Sequence, residues 1–527
     1  MKPISNVLII GGGTAGWLTA AFLARTLGTG LDKAVRITVV ESKEIGIVGV
    51  GEGSFPSIRG TLAAIGIDER HFVRECNATF KQGIKFVDWV RQYGAPGIDH
   101  YFHPFSLPSQ KQGGPELLPY WLQGAAGDDI PFAEAATLQK RLADAGRGPK
   151  RLDDGNFLGP MNYAYHFDAA RFAAMLSEHA RSLGVEHIFA TVEKVQLDNE
   201  GAIASVITKE SGEIKADLYI DCTGFRATLI GDALKVPFRK IDDVLFVDRA
   251  LAAQVPYPST DTPIPSYTIS TAKEAGWIWD IGLQQRRGVG YVYSSRHTND
   301  ARAEQVLRHY IGPTAEEVNP RMLKLNVGYR EVHWVKNCVA VGLSGGFLEP
   351  LEASGIGLIE TAAYLVSFLF PHNGDTAPVA KIFNQMMKER YERVVDFVKM
   401  HYCLTKRTDH QFWVDNVDPR SIPETLRDKL AMWRCRPPHR MDFITDLEMY
   451  PPSSWQYVLY GMEFKTNLSA NSLTYPRHNE AKKEFATIAQ MSQHAIKGLP
   501  SHRALVEHMC RRDDLTASAN KLSVRQF

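Results

Sequence analysis

The N-terminal residues have the types and the spacing that could hold a nucleotide. Gly11, Gly13 and Gly16 form a G-x-G-x-x-G turn. Glycine lets the backbone approach a pyrophosphate closely, and the N-terminus of a following helix attracts its negative charge. Glu41 lies where a carboxylate can accept hydrogen bonds from a ribose hydroxyl. The pattern predicts a dinucleotide site formed by Gly11, Gly13, Thr14, Ala15, Gly16 and Glu41.

The elements around this turn predict a βαβ unit. Val7 to Ile10 is a short apolar strand, and Trp17 to Thr26 has apolar residues at helical spacing. A second strand over residues 35–40 ends at Glu41. Residues 7–23 are apolar enough to resemble a signal peptide, but their glycines and threonines fit the dinucleotide unit better.

Three further segments favour FAD over NAD as the dinucleotide. Residues 49–54, which include Val50 and Gly51, follow the βαβ unit and could run along an extended cofactor. Residues 221–224 follow a strand where two-domain FAD proteins return to the nucleotide. Residues 339–346, which include Leu343, lie near the expected ribityl and isoalloxazine contact. Each could be an ordinary tight turn by itself, but three in this order favour FAD.

The rest of the chain predicts an α/β protein with a β-rich substrate layer. Residues 85–154 have weak periodicity and many Pro, Gly and Gln residues, which indicates a loop-rich insertion that contributes to the substrate site. We predict a FAD-binding module over residues 1–370 and a mainly helical C-terminal region over residues 371–527 that covers the substrate site. Helices are expected over 169–183 and 356–369, a meander over 187–221, strands within 264–295 and 338–343, and a loop over 442–454.

Composition excludes several classes of protein. A chain of 527 residues with 44% hydrophobic content exceeds one ordinary domain and can bury a large core. A net charge of +1 argues against nucleic-acid and membrane-surface partners, and no apolar run is long enough for a transmembrane helix. The 6 scattered cysteines have no zinc spacing, which indicates reduced thiols of a cytoplasmic protein without a metal site.

Residues 276–281, Gly-Trp-Ile-Trp-Asp-Ile, resemble the W-x-W-x-I-P signature of the flavin-dependent halogenases, whose best-known members act on tryptophan. Gly282 stands where that signature has proline. In the family the tryptophan pair is thought to crowd the flavin and prevent monooxygenation, a role that falls here on Trp277 and Trp279. Seen alone, the pair is equally typical of aromatic packing on a buried strand.

Other segments are similar to the same family between residue 6 and about residue 360, and more faintly to Trp455. Residues 49–54 with Pro56 resemble its flavin strap, and Phe80-Lys81 lies where it keeps a catalytic lysine. Residues 347–356 resemble its halide and glutamate segment. The resemblance implies a FADH2- and O2-dependent enzyme that makes hypohalous acid at the flavin.

Hypohalous acid is indiscriminate, so the protein must guide it through a dry channel to a fixed aromatic ring. Lys81 is the candidate catalytic residue at the far end of this channel. It could act as a hydrogen-bond donor to hypohalous acid or as a haloamine, because a desolvated lysine can serve either role. Glu352 is its candidate partner, which would orient the oxidant and take the proton from the ring. Without the resemblance, a surface lysine and a helix-capping glutamate are the commoner interpretations.

The resemblance also implies the halide and substrate residues. The backbone N–H groups of Ser354 and Gly355, at a predicted helix start, would suit a halide ion. His103 and Phe105 would sandwich an indole with Trp455. The alternative for Phe105 and Trp455 is packing in the core, and the alternative for His103 is a buried histidine that makes its hydrogen bonds within the protein.

The substrate and the reductant are predicted less directly. Tryptophan-specific members of the family bind the amino and carboxylate groups of their substrate. Residues 448–454 do not match the segment that does so, and we therefore expect free indole or a simple indole derivative. The halide is bromide or chloride, of which bromide is easier to oxidise. No second G-x-G-x-x-G appears, so a separate NAD(P)H flavin reductase should supply FADH2.

Two other functions remain open on the sequence. A flavin-dependent aromatic monooxygenase would share the FAD fold, but it would accept NAD(P)H directly. A non-catalytic flavoprotein would bind FAD and form no product. Trp277, Trp279, Lys81 and Glu352 argue against the first, and the large aromatic-rich insertion argues against the second.

Overall fold

The computed structural model describes residues 2–28, 35–44, 51–97, 99–444, 447–470 and 472–511. The strands of these ranges are, in chain order, β1 Asn6–Ile10, β2 Arg36–Glu41, β3 Glu52–Gly53, β4 Thr79–Lys81, β5 Gly83–Val87, β6 His100–Pro104, β7 Ala164–Phe167, β8 Glu186–Phe189, β9 Val192–Leu197, β10 Ile203–Thr208, β11 Gly212–Ile214, β12 Leu218–Asp221, β13 Arg239–Lys240, β14 Arg249–Pro256, β15 Thr268–Lys273, β16 Gly276–Gly282, β17 Arg286–Tyr293, β18 Arg321–Lys324, β19 Gly328–Tyr329, β20 Trp334–Val335, β21 Cys338–Ala340 and β22 Gly346–Phe347.

The helices are α1 Thr14–Leu27, α2 Ser57–Ile65, α3 Glu69–Glu75, α4 Leu117–Leu122, α5 Phe132–Ala136, α6 Gln139–Asp144, α7 Ala169–Ser182, α8 Asp300–Ile311, α9 Ser354–Phe368, α10 Thr376–Cys403, α11 Gln411–Val417, α12 Glu424–Trp433, α13 Pro452–Gly461, α14 His478–Gly498 and α15 His502–Cys510. In the described part of the chain, no helix combines the length and apolarity that crossing a membrane requires.

A six-stranded sheet in the order β20-β21-β12-β1-β2-β8 is the centre of the nucleotide-binding half. Its strands are parallel except β20. β1 is apolar at successive positions because the sheet is covered on both faces: Val7 and Ile9 belong to one hydrophobic cluster, and Leu8 and Ile10 to another. The α/β fold class with a β-rich layer is confirmed.

The predicted βαβ unit is present with nearly the predicted bounds. α1 begins at Thr14 after the glycine turn and ends at Leu27, where Gly28 takes the left-handed conformation that terminates helices. The turn requires Gly16, since a side chain there would overlap the carbonyl oxygen of Gly11. Helix and strand therefore pack as closely as a dinucleotide turn demands.

A seven-stranded sheet in the order β18-β14-β17-β16-β15-β5-β6 forms the β-rich layer. Its strands are antiparallel except for the parallel pair β15 and β5. Residues opposite one another on neighbouring strands share a face. Trp279 is opposite Ser270, Thr268 is opposite Ile84, and Ile84 is opposite His103. One face therefore presents all of these residues toward the candidate site.

Some segments differ from the sequence prediction. The meander expected over residues 187–221 is limited to β9, β10 and β11, because β8 before it and β12 after it belong to the six-stranded sheet. Asp217 fixes this change because its carboxylate accepts hydrogen bonds from the backbone N–H groups of Ser5 and Asn6. The expected strand over 338–343 stops at Ala340 and continues as a short 3-10 turn.

The two segments predicted to be loops contain regular structure. Residues 85–154 include most of β5, all of β6 and the short helices α4, α5 and α6. Within the loop expected over 442–454, helix α13 begins at Pro452. The domain boundary near residue 370 stays a prediction; one hydrophobic cluster contains residues from both sides of it, from Ile4 to Met509.

Candidate active site

A cavity of about 710 Å³ begins at the carboxyl ends of β1, β12 and β21 and extends across the β-rich layer. This edge of a parallel sheet is where nucleotides bind in α/β folds. The predicted site residues that line the cavity are Gly11, Gly13, Thr14, Ala15, Glu41, Gly51, Lys81, Trp277, Trp279, Leu343, Glu352 and Gly355. Val50 lies outside the described residues.

The first part of the cavity fits the pyrophosphate and ribose of a dinucleotide. Gly13 is the N-cap of α1 without a capping side chain, and a Cβ built on it would meet no atom within 4 Å. The first N–H groups of α1 therefore face open space, as a pyrophosphate requires. Glu41 ends β2 at the rim of this space, and its Oε2 lies 3.0 Å from Nε2 of His187.

Trp277 and Trp279 line the cavity between its two ends, with ring centroids 6.4 Å apart. The indole N–H of Trp277 donates to Oε2 of Glu349 at 3.1 Å, and the hydroxyl of Tyr402 donates to the same oxygen at 2.7 Å. Burial raises the pKa of Glu349 to about 7, against the lowering effect of these hydrogen bonds. Trp277 is thus held by a buried carboxyl group that sequence reasoning did not identify.

Lys81 is 1% exposed and lies at the far end of the cavity. Its Nζ donates to the carbonyl oxygen of Ser54 at 3.2 Å and lies 5.3 Å from the centroid of Phe105. Burial lowers the pKa of Lys81 to about 8, although the charge of Glu352 opposes the shift. The amine therefore changes its protonation state near pH 8 and is mostly protonated at neutral pH.

Glu352 is 2% exposed and lies between two buried histidines. Nδ1 of His103 is 2.8 Å from the carboxylate, and Nε2 of His401 is 3.4 Å from Oε1. Because a carboxylate only accepts hydrogen bonds, Nδ1 of His103 is the donor, whereas Nε2 of His401 makes a close electrostatic contact without a hydrogen bond. Burial raises the pKa of Glu352, but His103 and His401 outweigh this effect and lower it to about 2. Glu352 is therefore ionised at neutral pH.

The backbone that carries Glu352 has an unusual conformation. Glu352 and the next residue, Ala353, have φ angles of 65° and 56°, in the left-handed region that non-glycine residues rarely adopt. The tyrosine hydroxyl of Tyr450 donates to the carbonyl oxygen of Glu352 at 3.2 Å. Such strain persists only where the surroundings fix it, and it is typical of functional sites.

Ser354 and Gly355 begin α9 directly after this strained pair. The hydroxyl of Ser354 is buried and has no hydrogen-bond partner among the described residues. Gly355 lines the cavity, and a Cβ there would meet no atom within 4 Å. An anion at this helix start would be favoured by free N–H groups and the helix dipole.

The aromatic residues predicted to hold the substrate lie in one cluster but do not form a simple sandwich. Trp455 packs on Phe397 at 5.0 Å, and Phe397 lies 5.9 Å from His103. Phe105 contacts the ring of His103 at 6.1 Å. Within the described ranges, no ring contact joins Trp455 directly to His103 or Phe105. The neighbouring Ser454 makes the link instead, since its hydroxyl is 2.8 Å from Nε2 of His103.

Several residues of the site have no obvious signal in the sequence. His401 and Phe397 lie one helical turn apart on α10, and Nδ1 of His401 is 2.6 Å from the hydroxyl of Tyr101. Tyr101 could have been found from strand alternation, because it shares a face of β6 with His103. His401 could not, since nothing local relates α10 to a strand 300 residues earlier.

Comparison with known proteins identifies the family. The sequence profile described as "Tryptophan halogenase" matches residues 6–475. A tryptophan 6-halogenase of Streptomyces toxytricini is 37% identical, over 94% of this chain and 96% of the relative. The crystal structure of a tryptophan halogenase from Shewanella frigidimarina NCIMB 400 has a TM-score of 0.92 at 41% identity, covering 97% of this chain and 98% of that chain. A flavin-dependent halogenase from Xanthomonas campestris has a TM-score of 0.86 at 34% identity, with coverages of 97% and 99%. The chain therefore belongs to the tryptophan halogenase family and is a flavin-dependent halogenase, rather than a monooxygenase or a non-catalytic flavoprotein.

Proposed function

We propose that the enzyme uses FADH2, O2 and bromide or chloride to make hypohalous acid, and that it halogenates an indole ring. The observation that carries this proposal is the continuous cavity from the glycine turn to Lys81 and Glu352. Gly11, Gly13, Thr14, Ala15 and Glu41 would hold the pyrophosphate and ribose, with Gly16 shaping the turn. Val50, Gly51 and Leu343 would contact the rest of FAD. When bound, reduced FAD supplies with O2 the oxidising equivalents that convert a halide ion into hypohalous acid.

Trp277 and Trp279 would stand between the flavin and the aromatic substrate. Their large side chains leave room for a small oxidant but keep the substrate ring from the flavin. Ser354 and Gly355 would hold the halide ion before it is oxidised. This arrangement separates formation of the oxidant from its use, as a reactive and unselective species requires.

Lys81 would bind the oxygen of hypohalous acid through its ammonium group. The pKa of about 8 leaves most of the amine protonated at neutral pH, which favours the donor role over the haloamine. As the ring carbon bonds the halogen, the halogen–oxygen bond breaks and the oxygen takes a proton from Lys81, leaving as water. Glu352, which is ionised, accepts the proton that the ring carbon loses. Return of this proton to Lys81 restores both groups.

The substrate would be free indole or a simple indole derivative, held by His103, Phe105 and Trp455. The charged groups near Trp455 are already paired with one another. Arg393 binds Glu448 at 3.0 Å, and Lys429 binds Asp396 at 2.9 Å. An uncharged indole leaves both pairs intact, whereas the zwitterion of tryptophan would have to open one of them.

L-Tryptophan is the second candidate substrate, favoured by the names of the relatives. Arg393 and Glu448 offer the two charges that an amino acid needs, and Arg393 lies one helical turn before Phe397 on α10. The double variant Arg393→Met/Glu448→Gln removes both charges without leaving one buried and unpaired. It should leave kcat/KM for indole within about twofold, as for a site without direct contact. A selective rise in KM for tryptophan would favour the amino acid.

The deciding experiment measures product mass. The purified protein is incubated with FAD, NADH, an unrelated flavin reductase and O2, with indole or L-tryptophan, and with bromide or chloride in separate reactions. A product with the halogen isotope pattern that requires this protein and the added reductase supports the proposal. Addition of an oxygen atom instead, or turnover with NADH alone, would contradict it. The ratio of kcat/KM for the two substrates decides between them.

A further inference from the structure

Strand β15 lies between the strand of the tryptophan pair and the strands that lead to His103. The order β16-β15-β5-β6 places Trp279, Ser270, Phe86 and Tyr101 opposite one another in succession. Neighbouring strands are about 4.8 Å apart, so any molecule that crosses this face from the flavin toward His103 passes over β15. Thr268 and Ser270 are the polar residues of β15 on this face, and both line the cavity.

The flavin side of this path contains polar atoms without partners. The hydroxyl of Ser270 and the indole N–H of Trp279 are buried, and neither has a hydrogen bond within the described part of the chain. Buried polar groups are normally paired with protein, water or a ligand. Two unpaired donors on adjacent strands therefore indicate that a polar molecule binds on this face of the sheet.

Thr268 lies at the other end of β15, beside Lys81. A Cβ built on Gly53 would lie 3.1 Å from Nζ of Lys81 and 3.7 Å from the hydroxyl oxygen of Thr268, so the two polar groups flank the same glycine. Gly53, Lys81 and Thr268 all line the cavity. Glycine at residue 53 thus leaves open the space that faces the two polar groups.

His166 determines which way the Thr268 hydroxyl points. Nε2 of His166 is 2.8 Å from this hydroxyl, and Nδ1 is buried without a partner. A buried N–H without an acceptor costs more than a buried acceptor without a donor, so the hydrogen resides on Nε2. Burial and the charge of Lys81 hold the pKa of His166 well below its ordinary value, so the ring is neutral. Nε2 donates to Thr268, and the threonine hydrogen is free for another acceptor.

We propose that Thr268 is a second hydrogen-bond donor to hypohalous acid beside Lys81. Ser270 and Trp279 bind the acid earlier on its path from the flavin, and His166 positions Thr268. This inference rests on the proposed function and adds residues to its transfer path. Hypohalous acid is small, neutral and polar, and it would lose its hydration in an apolar channel. Donors along β15 replace that hydration and direct the oxidant to Lys81 instead of to solvent.

The test measures how oxidant is divided between substrate and solvent. Thr268→Val removes the hydroxyl at nearly constant volume. For each variant we compare halogenated product per reduced flavin oxidised, and a water-soluble β-diketone captures hypohalous acid that escapes. Thr268→Val should lower product per flavin by about fivefold, the effect of one lost hydrogen bond, and raise the captured fraction. FAD affinity and the rate of flavin oxidation should stay at the wild-type values. Unchanged division of the oxidant would overturn the proposal.

Thr271→Val is the matched control, because it makes the same substitution on the same strand but on the opposite face. It should leave the division of oxidant unchanged. Ser270→Ala separates transfer from stability: removing a buried hydroxyl without a partner should keep or raise Tm, yet it should increase escape of the oxidant. A lower Tm with unchanged escape of the oxidant would mean that Ser270 serves the fold alone.

His166 is tested by substitution with and without a donor. His166→Gln can retain an N–H toward Thr268 and should restore most of the product per flavin, whereas His166→Leu should resemble Thr268→Val. Equal behaviour of the two variants would remove the positioning role. If the wild-type protein forms no halogenated product in this assay, the proposed function fails. If the wild-type protein forms product and Thr268→Val gives the same product per flavin, only the present inference fails.

Discussion

The nucleotide turn and the halogenation end of the cavity are built in different ways. The turn uses residues 11–16 and Glu41, which one βαβ unit brings together. The other end combines Lys81 of β4, His103 of β6, Glu352 before α9 and His401 of α10. The nucleotide turn depends on backbone shape, and its residues belong to one local unit of the sequence. The second depends on charges and hydrogen bonds between distant segments, so single substitutions should have different effects in the two regions.

The largest effect is expected at Lys81. Lys81→Met should lower the rate of halogenation by about 1000-fold or more, because the oxidant loses its charged donor in a water-excluded site. FAD binding, measured by flavin fluorescence, should remain within about twofold of the wild-type value, since the nucleotide turn is distant. Lys85→Met on the adjacent β5 is the control, and retained halogenation by the Lys81 variant would reject the assigned role.

The pH profile of the wild-type enzyme sharpens this prediction. If the ammonium form of Lys81 is the active donor, the rate of the halogenation step should fall as pH rises through about 8, where the amine loses its proton. A haloamine mechanism needs the neutral amine, so the same step should accelerate over that range. Single-turnover measurements with FADH2 already bound keep the reductase from obscuring the difference.

Glu352→Gln should have the second largest effect, about 100-fold in the rate of the halogenation step, because the amide cannot accept the ring proton. Glu349→Gln provides a matched control three residues earlier, in a carboxyl group that contacts Trp277 and Tyr402. An effect of Glu349→Gln equal to that of Glu352→Gln would indicate that both substitutions act through the fold. Near-normal turnover of the Glu352 variant would assign the base to another group.

Two glycines of the turn should respond differently to alanine. Gly16→Ala forces a side chain into the carbonyl group of Gly11, so it should lower Tm with or without FAD. Gly13→Ala adds a methyl group to open space, so it should leave the Tm of the apoprotein unchanged. It should nevertheless weaken FAD binding by about tenfold if a pyrophosphate occupies that space. Equal loss of stability in both variants would show that the turn has no open side.

The same contrast explains which features were predictable from the sequence. The βαβ unit follows from local spacing, because its strand, turn and helix are consecutive. The partnership of Glu352 with His401 could not be predicted, since it depends on how α10 packs across the β-rich layer. Thr268 and Ser270 appear in the sequence as two polar residues at strand spacing. Only the register with β16 and β5 places them between the tryptophan pair and the strands that lead to His103.

The smallest effect concerns Gly282, which stands where the family signature has proline. A Cβ at this position would lie 2.8 Å from Cγ2 of Ile264 and 3.0 Å from the hydroxyl of Tyr257, so larger neighbours fill the space. Gly282→Ala should therefore destabilise the fold by about 1–2 kcal/mol through overpacking, measured by urea unfolding. Halogenated product per flavin should not change, because Trp277 and Trp279 keep their positions on β16. Ile264→Leu removes the obstructing methyl group, so the double variant should lose less stability than the sum of the single variants. Additive losses would mean that Ile264 does not compensate for the missing proline, and a change in product per flavin would extend the halogenation region to the end of β16.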